Sequence, residues 1–349
     1  MIAGPGHRNP EANGTPATAA TAATASRFSC EWKLGPVAQP NCSGVRRWDD
    51  APMRTVTLVE APTSAGADAP GQEDGPDALL EAGLVQRLNA AGVAVQRGGQ
   101  VTPFRWRPDR EHPRAAHAGV VVDRAGQVAA SARSAPAEDT ILVLGGDCTV
   151  GIGTVAGLCD RVERLGVIYM DRHADLNVPS STIDGDLDWM GMAHMLDVDG
   201  AVEQLAALAR RRPMLKSEQV SFLGLGPHTE FEAGVIADRG LPVVDVHSTV
   251  ADPRGSVRAA LAPLTGCDAL AVHFDVDLVD FLDAPLAENT DRGPAPSLAA
   301  CREMLVELLA DARVRALTVT EFNPHHGLPN GETTQRLLDV IVDALSHFS

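Results

Sequence analysis

Val167-Ile168-Tyr169-Met170-Asp171-Arg172-His173-Ala174-Asp175 is the stretch that decides the fold and the place of the chemistry. The apolar run 167–170, rich in β-branched residues, predicts a buried strand. Asp171, His173 and Asp175 follow at alternate positions, so in an extended segment their side chains face the same way. Three ionisable groups beside a buried strand are costly without a partner. Because carboxylate and imidazole together are ligands for divalent transition metals, the stretch predicts a metal site.

Apolar runs of the same kind recur along the chain and alternate with helical patterns. The other predicted strands are 55–59, 140–144, 220–223, 242–246, 270–274 and 316–320. The predicted helices are 77–91, 151–158, 201–211, 256–262, 297–310 and 333–346. This alternation predicts an α/β fold with a mostly parallel sheet and helices on both faces. In such sheets the functional groups lie just past the carboxyl ends of the strands.

Three more predicted strands end in polar groups. Gly145-Gly146-Asp147-Cys148 follows the run 140–144, Asp275-Val276-Asp277 follows 270–274, and Glu321 follows 316–320. Two carboxylates on one side of a strand repel each other unless a cation lies between them. The Gly-Gly-Asp run also fits a plain strand-to-helix turn, and Glu321 also fits a helix cap. Together with the Asp-x-His-x-Asp stretch, however, the pattern favours a metal centre.

The order of these motifs resembles the arginase/agmatinase (ureohydrolase) superfamily over roughly residues 53–349. The sequence motifs are Gly-Gly-Asp-x, Asp-x-His-x-Asp, His-x-Asp-x-Asp and Glu-x-Asn-Pro. The resemblance implies a single three-layer α/β/α sandwich that holds two Mn²⁺ ions. It also implies hydrolysis of a C–N bond in a guanidino or amidino compound, through a hydroxide that bridges the metals and attacks the central carbon, with release of urea or a related product.

The resemblance also implies a role for each matching residue. Asp171 and Asp275 would bridge the metals, and Glu321 would hold the cationic guanidino group and belong to the catalytic set. One metal would be completed by His173 and Asp277, and the other by Asp175 and Cys148.

Cys148 stands where the superfamily usually has His, and a thiolate prefers softer metals than Mn²⁺. Occupancy of the second metal site is therefore in question. Cys148 fits the role of a small buried residue that binds no metal as well as it fits the role of a ligand. Some hydroxyarginine-type amidinohydrolases resemble the chain here and carry His at the position of His273. The arginase proton-shuttle His is replaced by Asp188. We take Asp188 or the nearby His194 as candidate substitutes.

The substrate-binding segments also differ from the arginase pattern. Gly224-Leu225-Gly226-Pro227-His228-Thr229 lacks the acids that read the α-amino group in arginases, which makes arginine a doubtful substrate. Asn177 remains, together with Pro179, where arginases grip the α-carboxylate side. The loop 286–292 brings Glu288 and Arg292, of which Glu288 is a candidate substrate-binding residue. His325 and His326 follow Glu321 and are interpreted as loop residues.

Two other functions remain open at this point. Cys148 and the missing shuttle His are consistent with a metal-binding relative that has no catalytic activity. The same site could also hydrolyse a different amide, such as a formimino substrate. Metal binding without turnover would indicate the first alternative, and release of formamide instead of urea would indicate the second.

Composition restricts the partners. The net charge of −17 argues against a nucleic-acid binder and against docking on anionic membranes, since both need a basic face. Six cysteines without a CxxC pair are too sparse for a disulfide framework in 349 residues and favour a cytoplasmic location. Without a long apolar run, no membrane span is predicted. The family forms trimers and hexamers, so the expected partners are a small cationic substrate and further copies of the chain.

Residues 1–52 differ from the rest of the chain. The segment 17–25 consists only of Ala and Thr, and no hydrophobic period persists through the region. We predict that residues 1–52 are disordered or a non-native extension, that Met53 is the native start, and that 53–349 form one domain.

Overall fold

An eight-stranded sheet lies at the centre of the computed structural model, which describes residues 54–290 and 292–347. The predictions for residues 1–52 and Met53 therefore lie outside the described residues. The strands are β1 Arg54–Ala61, β2 Val93–Gln100, β3 Thr140–Gly145, β4 Leu165–Met170, β5 Val220–Leu225, β6 Val243–Asp245, β7 Ala269–Asp275 and β8 Val314–Thr320. Every pairing between these strands is parallel.

Helices connect the strands and cover both faces of the sheet. They are α1 Gly75–Glu81, α2 Leu84–Ala90, α3 Ala118–Ser134, α4 Val150–Cys159, α5 Gly191–Met195, α6 Glu203–Ala206, α7 Glu230–Arg239, α8 Val246–Ala251, α9 Pro253–Leu261, α10 Leu298–Leu309 and α11 Glu332–Ser346. No helix of the described residues is long and apolar enough to cross a membrane.

The two faces of each inner strand of the sheet belong to different cores. On β4, Ile168 and Met170 pack into the core formed with α1, α2, α9, α10 and α11. Val167 and Tyr169 pack into the opposite core, formed with α3, α4 and α5. Alternate residues of a strand point to opposite faces, so a strand buried on both sides is apolar throughout. The predicted three-layer α/β/α sandwich with a parallel central sheet is confirmed.

The strand order brings the sequence motifs together. The order is β2-β1-β3-β8-β7-β4-β5-β6, so β3, β8, β7 and β4 are four consecutive neighbours at the centre. These are the strands followed by Cys148, Glu321, Asp277 and Asp171. Because parallel strands end at the same edge, side chains distant in sequence meet there. Cys148 and Thr320, 172 positions apart, are in contact at 3.2 Å.

Helix α4 follows the Cys148 turn and is buried along its whole length. Its glycines allow it to lie directly on α3, because a Cβ on Gly153 would come within 2.4 Å of the Ala125 carbonyl oxygen. This close packing places the start of α4, and with it the Cys148 turn, against the centre of the sheet.

Some predicted element boundaries were wrong. The single helix predicted for 77–91 is two helices, since Gly83 has a φ of 98° and breaks the helix between α1 and α2. Of the helix predicted for 201–211 only α6 forms. The chain after it is held irregularly by Arg211, which donates to the Met214 and Val162 carbonyl oxygens.

Several elements were not predicted, among them β2, α3 and α7. Strand β2 is an edge strand that pairs only with β1 and carries exposed polar residues and two glycines, so no apolar run marks it. Helix α3 buries mainly Ala and Val, which give a weak helical period. Helix α7 begins with a capping box between Thr229 and Glu232 but carries only a weak apolar period.

Candidate metal centre and active-site cavity

A cavity of about 410 Å³ opens at the carboxyl ends of the four central strands. Its lining includes nine carboxylates: Asp68, Asp175, Asp184, Asp186, Asp188, Asp275, Asp277, Glu288 and Glu321. The described lining contains no lysine or arginine, and its other members are His173, Cys148, Gln72, Trp189 and Asn289. Buried like charges repel, so a cavity of this composition requires cations, or protons on part of its carboxylates.

One compact ligand group consists of Asp171, His173 and Asp277, whose candidate ligand atoms all lie within 4.8 Å of one another. The Nδ1 of His173 lies 3.0 Å from Oδ2 of Asp277 and 3.7 Å from Oδ1 of Asp171. Within the described chain, Oδ2 of Asp171 and Oδ1 of Asp277 are buried and accept no hydrogen bond. Two carboxylates, each with one unpartnered buried oxygen, and an imidazole whose candidate ligand atoms lie this close together fit a divalent cation.

Electrostatics around this group lead to the same conclusion. Burial, together with Asp175 and Asp277, raises the pKa of Asp171 well above its usual range. Burial acts to lower the pKa of His173, but Asp277 and the other carboxylates raise it to about 10. The contact with His173 lowers the pKa of Asp277 against the effect of burial. In the absence of metal, a proton on His173 therefore supplies positive charge that a cation would supply otherwise.

The Cys148 turn brings a thiol to the same centre. Its Sγ donates to Oδ2 of Asp275 at 3.1 Å and lies 3.3 Å from Nε2 of His273. The paired glycines before it are required, because a Cβ on Gly146 would lie 2.0 Å from the Thr63 carbonyl oxygen. The thiol therefore lies in the cavity next to Asp275 and His273.

Asp175 and Glu321 line the cavity with unusual backbone conformations. Their φ values are 50° and 67°, in the left-handed region that residues other than glycine seldom adopt. Such conformations cost roughly 1 to 3 kcal/mol each and are concentrated at functional sites. The Tyr169 hydroxyl donates to Oδ2 of Asp175 at 2.5 Å, and the backbone N–H of Glu321 donates to the Gly146 carbonyl oxygen at 2.7 Å. These contacts hold both carboxylates toward the cavity.

Asp188 lies in the cavity beside Cys148 and Glu321. The backbone N–H of Cys148 donates to Oδ1 of Asp188 at 2.7 Å, and Gln72 donates to Oε2 of Glu321 at 2.9 Å. Burial is the main cause that raises the pKa of both carboxyl groups well above their usual ranges. The charge of Asp188 further raises the pKa of Glu321, whereas the interaction with Glu321 acts to lower the pKa of Asp188. Asp188 is therefore placed next to the candidate substrate-binding Glu321, as a proton-relay residue would need to be.

The predicted loop residues occupy different parts of the rim. Glu288 lines the cavity and is held by Asn323 and by Nε2 of His326, which lies 3.4 Å away. His325 points outward and contacts Asp74, and Arg292 is exposed.

Two predicted site residues are not brought to the cavity. Asn177 is fully buried, and its Oδ1 accepts hydrogen bonds from Ser181 at 3.0 Å and Thr229 at 3.3 Å. His194 is fully buried in α5, with Nδ1 2.5 Å from the Met190 carbonyl oxygen. Neither lines the cavity. Because Asn177 and His194 are buried away from the cavity, Asn177 is badly placed to bind a substrate, and His194 is badly placed to exchange protons with solvent.

His194 allows a prediction about folding stability. Burial lowers its pKa from 6.5 to about 4, so the unfolded chain takes up a proton before the folded one. This stabilising contribution is complete above pH 6.5 and is lost as the pH falls toward 4. Over that pH interval, the free energy of unfolding of the wild type should fall by up to about 3 kcal/mol relative to that of His194→Asn. Urea unfolding of both proteins across this pH range is the measurement, and a constant difference between them would contradict the prediction.

Several cavity residues were not predicted from the sequence: Asp68, Gln72, Asp184, Asp186, Trp189 and Asn289. They lie outside the strands, in loops and short turns, so no apolar run leads into them. Asn289 is the most informative, because its Nδ2 lies 3.3 Å from Nε2 of His173 and 3.2 Å from Oδ2 of Asp277. Its only signal in the sequence was its place in the unusual loop 286–292.

The fold and the cavity define a parallel α/β protein with a carboxylate-rich metal-ligand centre. The family model described as the arginase family matches residues 54–346. An arginase of Agrobacterium fabrum is 31% identical over 304 residues, covering 84% of this chain and 91% of that protein. An arginase of Bacillus subtilis is 28% identical over 300 residues, covering 83% and 98%. The chain therefore belongs to the arginase family, and this membership supports an amidine hydrolase at the level of the family.

Solved structures agree with this membership. The crystal structure of the Bacillus subtilis arginase matches with a TM-score of 0.75 and 25% identity, over 84% of this chain and 98% of that one. Formimidoylglutamase from the same organism matches with a TM-score of 0.66 and 15% identity, over 86% and 88%, which shows a shared fold.

Proposed function

We propose that this protein is a metal-dependent hydrolase that cleaves a C–N bond in a cationic guanidino or amidino compound and releases urea or a related product. The observation that carries the proposal is the cavity lined by nine carboxylates and, among its described residues, by no lysine or arginine. In that cavity Glu321 and Asp277 each have a buried oxygen that accepts no hydrogen bond within the described chain. Ionised oxygens in such positions are stabilised when cations occupy the cavity.

The donor set supports a binuclear centre. Asp171, His173 and Asp277 supply oxygen and nitrogen ligands, which suit Mn²⁺. Asp275 and Asp175 lie beside them, with Oδ2 of Asp275 facing the Cys148 thiol. When bound, the cations would supply Lewis-acid chemistry and lower the pKa of a coordinated water molecule.

The protein residues then bind the substrate and handle protons. Glu321 would pair with the guanidinium group through its free Oε1, while Gln72 fixes Oε2. Asp188, next to Glu321, would carry the proton to the departing nitrogen. In the overall reaction water adds OH to the central carbon, the C–N bond breaks, and the leaving amine takes up hydrogen.

The charge of the cavity also bears on the rest of the substrate. A free α-carboxylate would find no lysine or arginine among the described lining residues and would lie beside Asp184 and Asp186. Asn177, which could have bound it, lies outside the cavity. A substrate with a second cationic group at its far end instead matches the acidic rim.

We therefore expect ω-guanidino amines to be hydrolysed with at least about 10-fold higher kcat/KM than the corresponding α-amino acids, since one unfavourable charge contact costs about 1.4 kcal/mol or more. Urea release from a matched pair of such compounds, after Mn²⁺ loading, is the measurement, with formamide assayed in parallel on formimino compounds. Preference for the amino acid would contradict the assignment. Release of formamide alone would indicate a hydrolase of formimino substrates. Metal binding without turnover of any compound would indicate a relative that has no catalytic activity.

A further inference from the structure

We propose that His273 acts with Cys148 and Asp171 as a second metal-ligand set of mixed sulfur, nitrogen and oxygen character, which selects a softer cation such as Zn²⁺ or Co²⁺ beside the Mn²⁺ position. Candidate ligand atoms of these three buried side chains lie within 4.8 Å of one another. The inference rests on the metal centre of the proposed function and is independent of the substrate.

The imidazole of His273 is fixed in orientation. It stacks on the ring of Tyr169, with ring centroids 4.3 Å apart and planes 3° from parallel. On its other edge, a Cβ on Gly151 would lie 2.7 Å from Nδ1, so the glycine leaves room for the ring. Nδ1 is buried and makes no hydrogen bond within the described chain, whereas Nε2 points at the Cys148 thiol, 3.3 Å away. The ring therefore presents one nitrogen to the centre.

The surroundings of Cys148 favour a role as a metal ligand over a role as a small buried residue that only fills space in the core. Its Sγ has three polar neighbours within 3.3 Å: Oδ2 of Asp275, Oγ1 of Thr320 and Nε2 of His273. A filler cysteine packs among apolar groups and behaves as a small hydrophobe. Binding of a divalent cation would displace the thiol proton and exchange these weak hydrogen bonds for coordination.

The third ligand, Asp171, joins the two sets. Its Oδ1 accepts the backbone N–H of His173 at 2.6 Å, and its Oδ2 is buried without a hydrogen bond among the described residues. One carboxylate can thus contribute to both positions. Because thiolate and imidazole favour Zn²⁺, whereas carboxylate-rich sets suit Mn²⁺, the two positions should differ in metal preference.

Another combination of side chains must be separated from this one. Cys148, Asp188 and Glu321 also bring candidate ligand atoms within 4.8 Å. That set consists of a thiol and two carboxylates without a nitrogen donor, and Gln72 already donates to Oε2 of Glu321. Each set contains an unpartnered carboxylate oxygen, on Asp171 or on Glu321, but only the His273 set adds a neutral nitrogen donor. A site of thiolate and imidazole suits the softer cation better.

Cobalt titration of the metal-free full chain tests the inference. The wild type should bind two Co²⁺ and show a near-ultraviolet thiolate-to-cobalt charge-transfer band for one of them. Cys148→Ser should lose the band. His273→Gln should weaken binding of the band-forming ion by more than about 10-fold, as removal of even an outer partner does at metal sites. Thr320→Val is the matched control, since Thr320 contacts the same Sγ and Nε2 without being a proposed ligand, and should leave the band and affinity unchanged.

X-ray absorption of the zinc-loaded wild type provides a test that needs no variant, with one sulfur expected at about 2.3 Å. Two bound cations without sulfur coordination would overturn the inference while leaving the proposed function intact. Sulfur coordination that is unchanged in His273→Gln would overturn the role of His273. Failure to bind any cation would overturn the metal centre itself, and with it the proposed function.

Discussion

Asp171→Asn is expected to remove bound metal and to lower the rate of guanidino-compound hydrolysis by more than about 100-fold. Asp171 belongs to two of the ligand groups, one with His173 and Asp277 and the other with Cys148 and His273. Loss of an outer partner at a metal site already costs 10–100-fold in affinity or activity, so loss of a shared ligand should cost more. Metal content by mass spectrometry and urea release under Mn²⁺ are the measurements.

The same substitution should have opposite effects on stability with and without metal. The pKa of Asp171 is raised by burial and by neighbouring carboxylates, so the stability of the metal-free protein falls as the pH rises above the unfolded value of 3.8. Asparagine removes that unfavourable charge, and the metal-free variant should be at least as stable as the wild type at pH 7. With metal at 100 times its Kd, only the wild type should gain about 2.7 kcal/mol.

Asp186→Asn is the matched control for the loss of metal. Asp186 also lines the cavity, and burial raises its pKa to about 7, but it belongs to none of the ligand groups. It should retain the metal content of the wild type. An Asp171→Asn protein that keeps its metal and its activity would refute the assignment of the centre.

Glu321→Gln is expected to lower kcat/KM for guanidino substrates by about 100-fold or more while metal content stays unchanged. Glu321 is 7% exposed, and its Oε1 accepts no hydrogen bond from the described chain. An ion pair with a guanidinium group at such a desolvated position is lost when the charge is removed, and breaking a buried pair costs about 3 to 5 kcal/mol. The backbone should tolerate the change because glutamine has nearly the same shape.

Glu73→Gln is a useful control, since Glu73 is also 7% exposed but pairs with Arg105 and does not line the cavity. It should leave kcat/KM near the wild-type value. Steady-state kinetics and metal analysis of both variants distinguish the outcomes. If Glu321→Gln loses metal as well, Glu321 is a ligand and its proposed role in substrate binding is wrong.

Much of the sheet could be predicted from the sequence because its strands are buried on both faces. Val167 to Met170 form part of a strand that contributes to two cores at once, so every position is apolar and the run stands out. The edge strand β2 has one neighbour and exposed side chains, which leaves no such signal. The helix break at Gly83 was not predicted, because a glycine within a helical pattern can adopt either a helical or a left-handed φ, and the packing of the folded chain decides between them.

For the site, the sequence determined which chemical groups are available at the strand ends, because an acid or imidazole directly after a buried strand must lie at the carboxyl edge of the sheet. Asp171, His173, Asp275, Asp277 and Glu321 follow from that rule. Tertiary structure decided which of them meet. The order β3-β8-β7-β4 brings Cys148 next to His273 and Asp275, a contact between residues more than 120 positions apart. It also decided that Asn177 and His194 face the protein interior, because the direction of a loop or helix side chain depends on what packs against it.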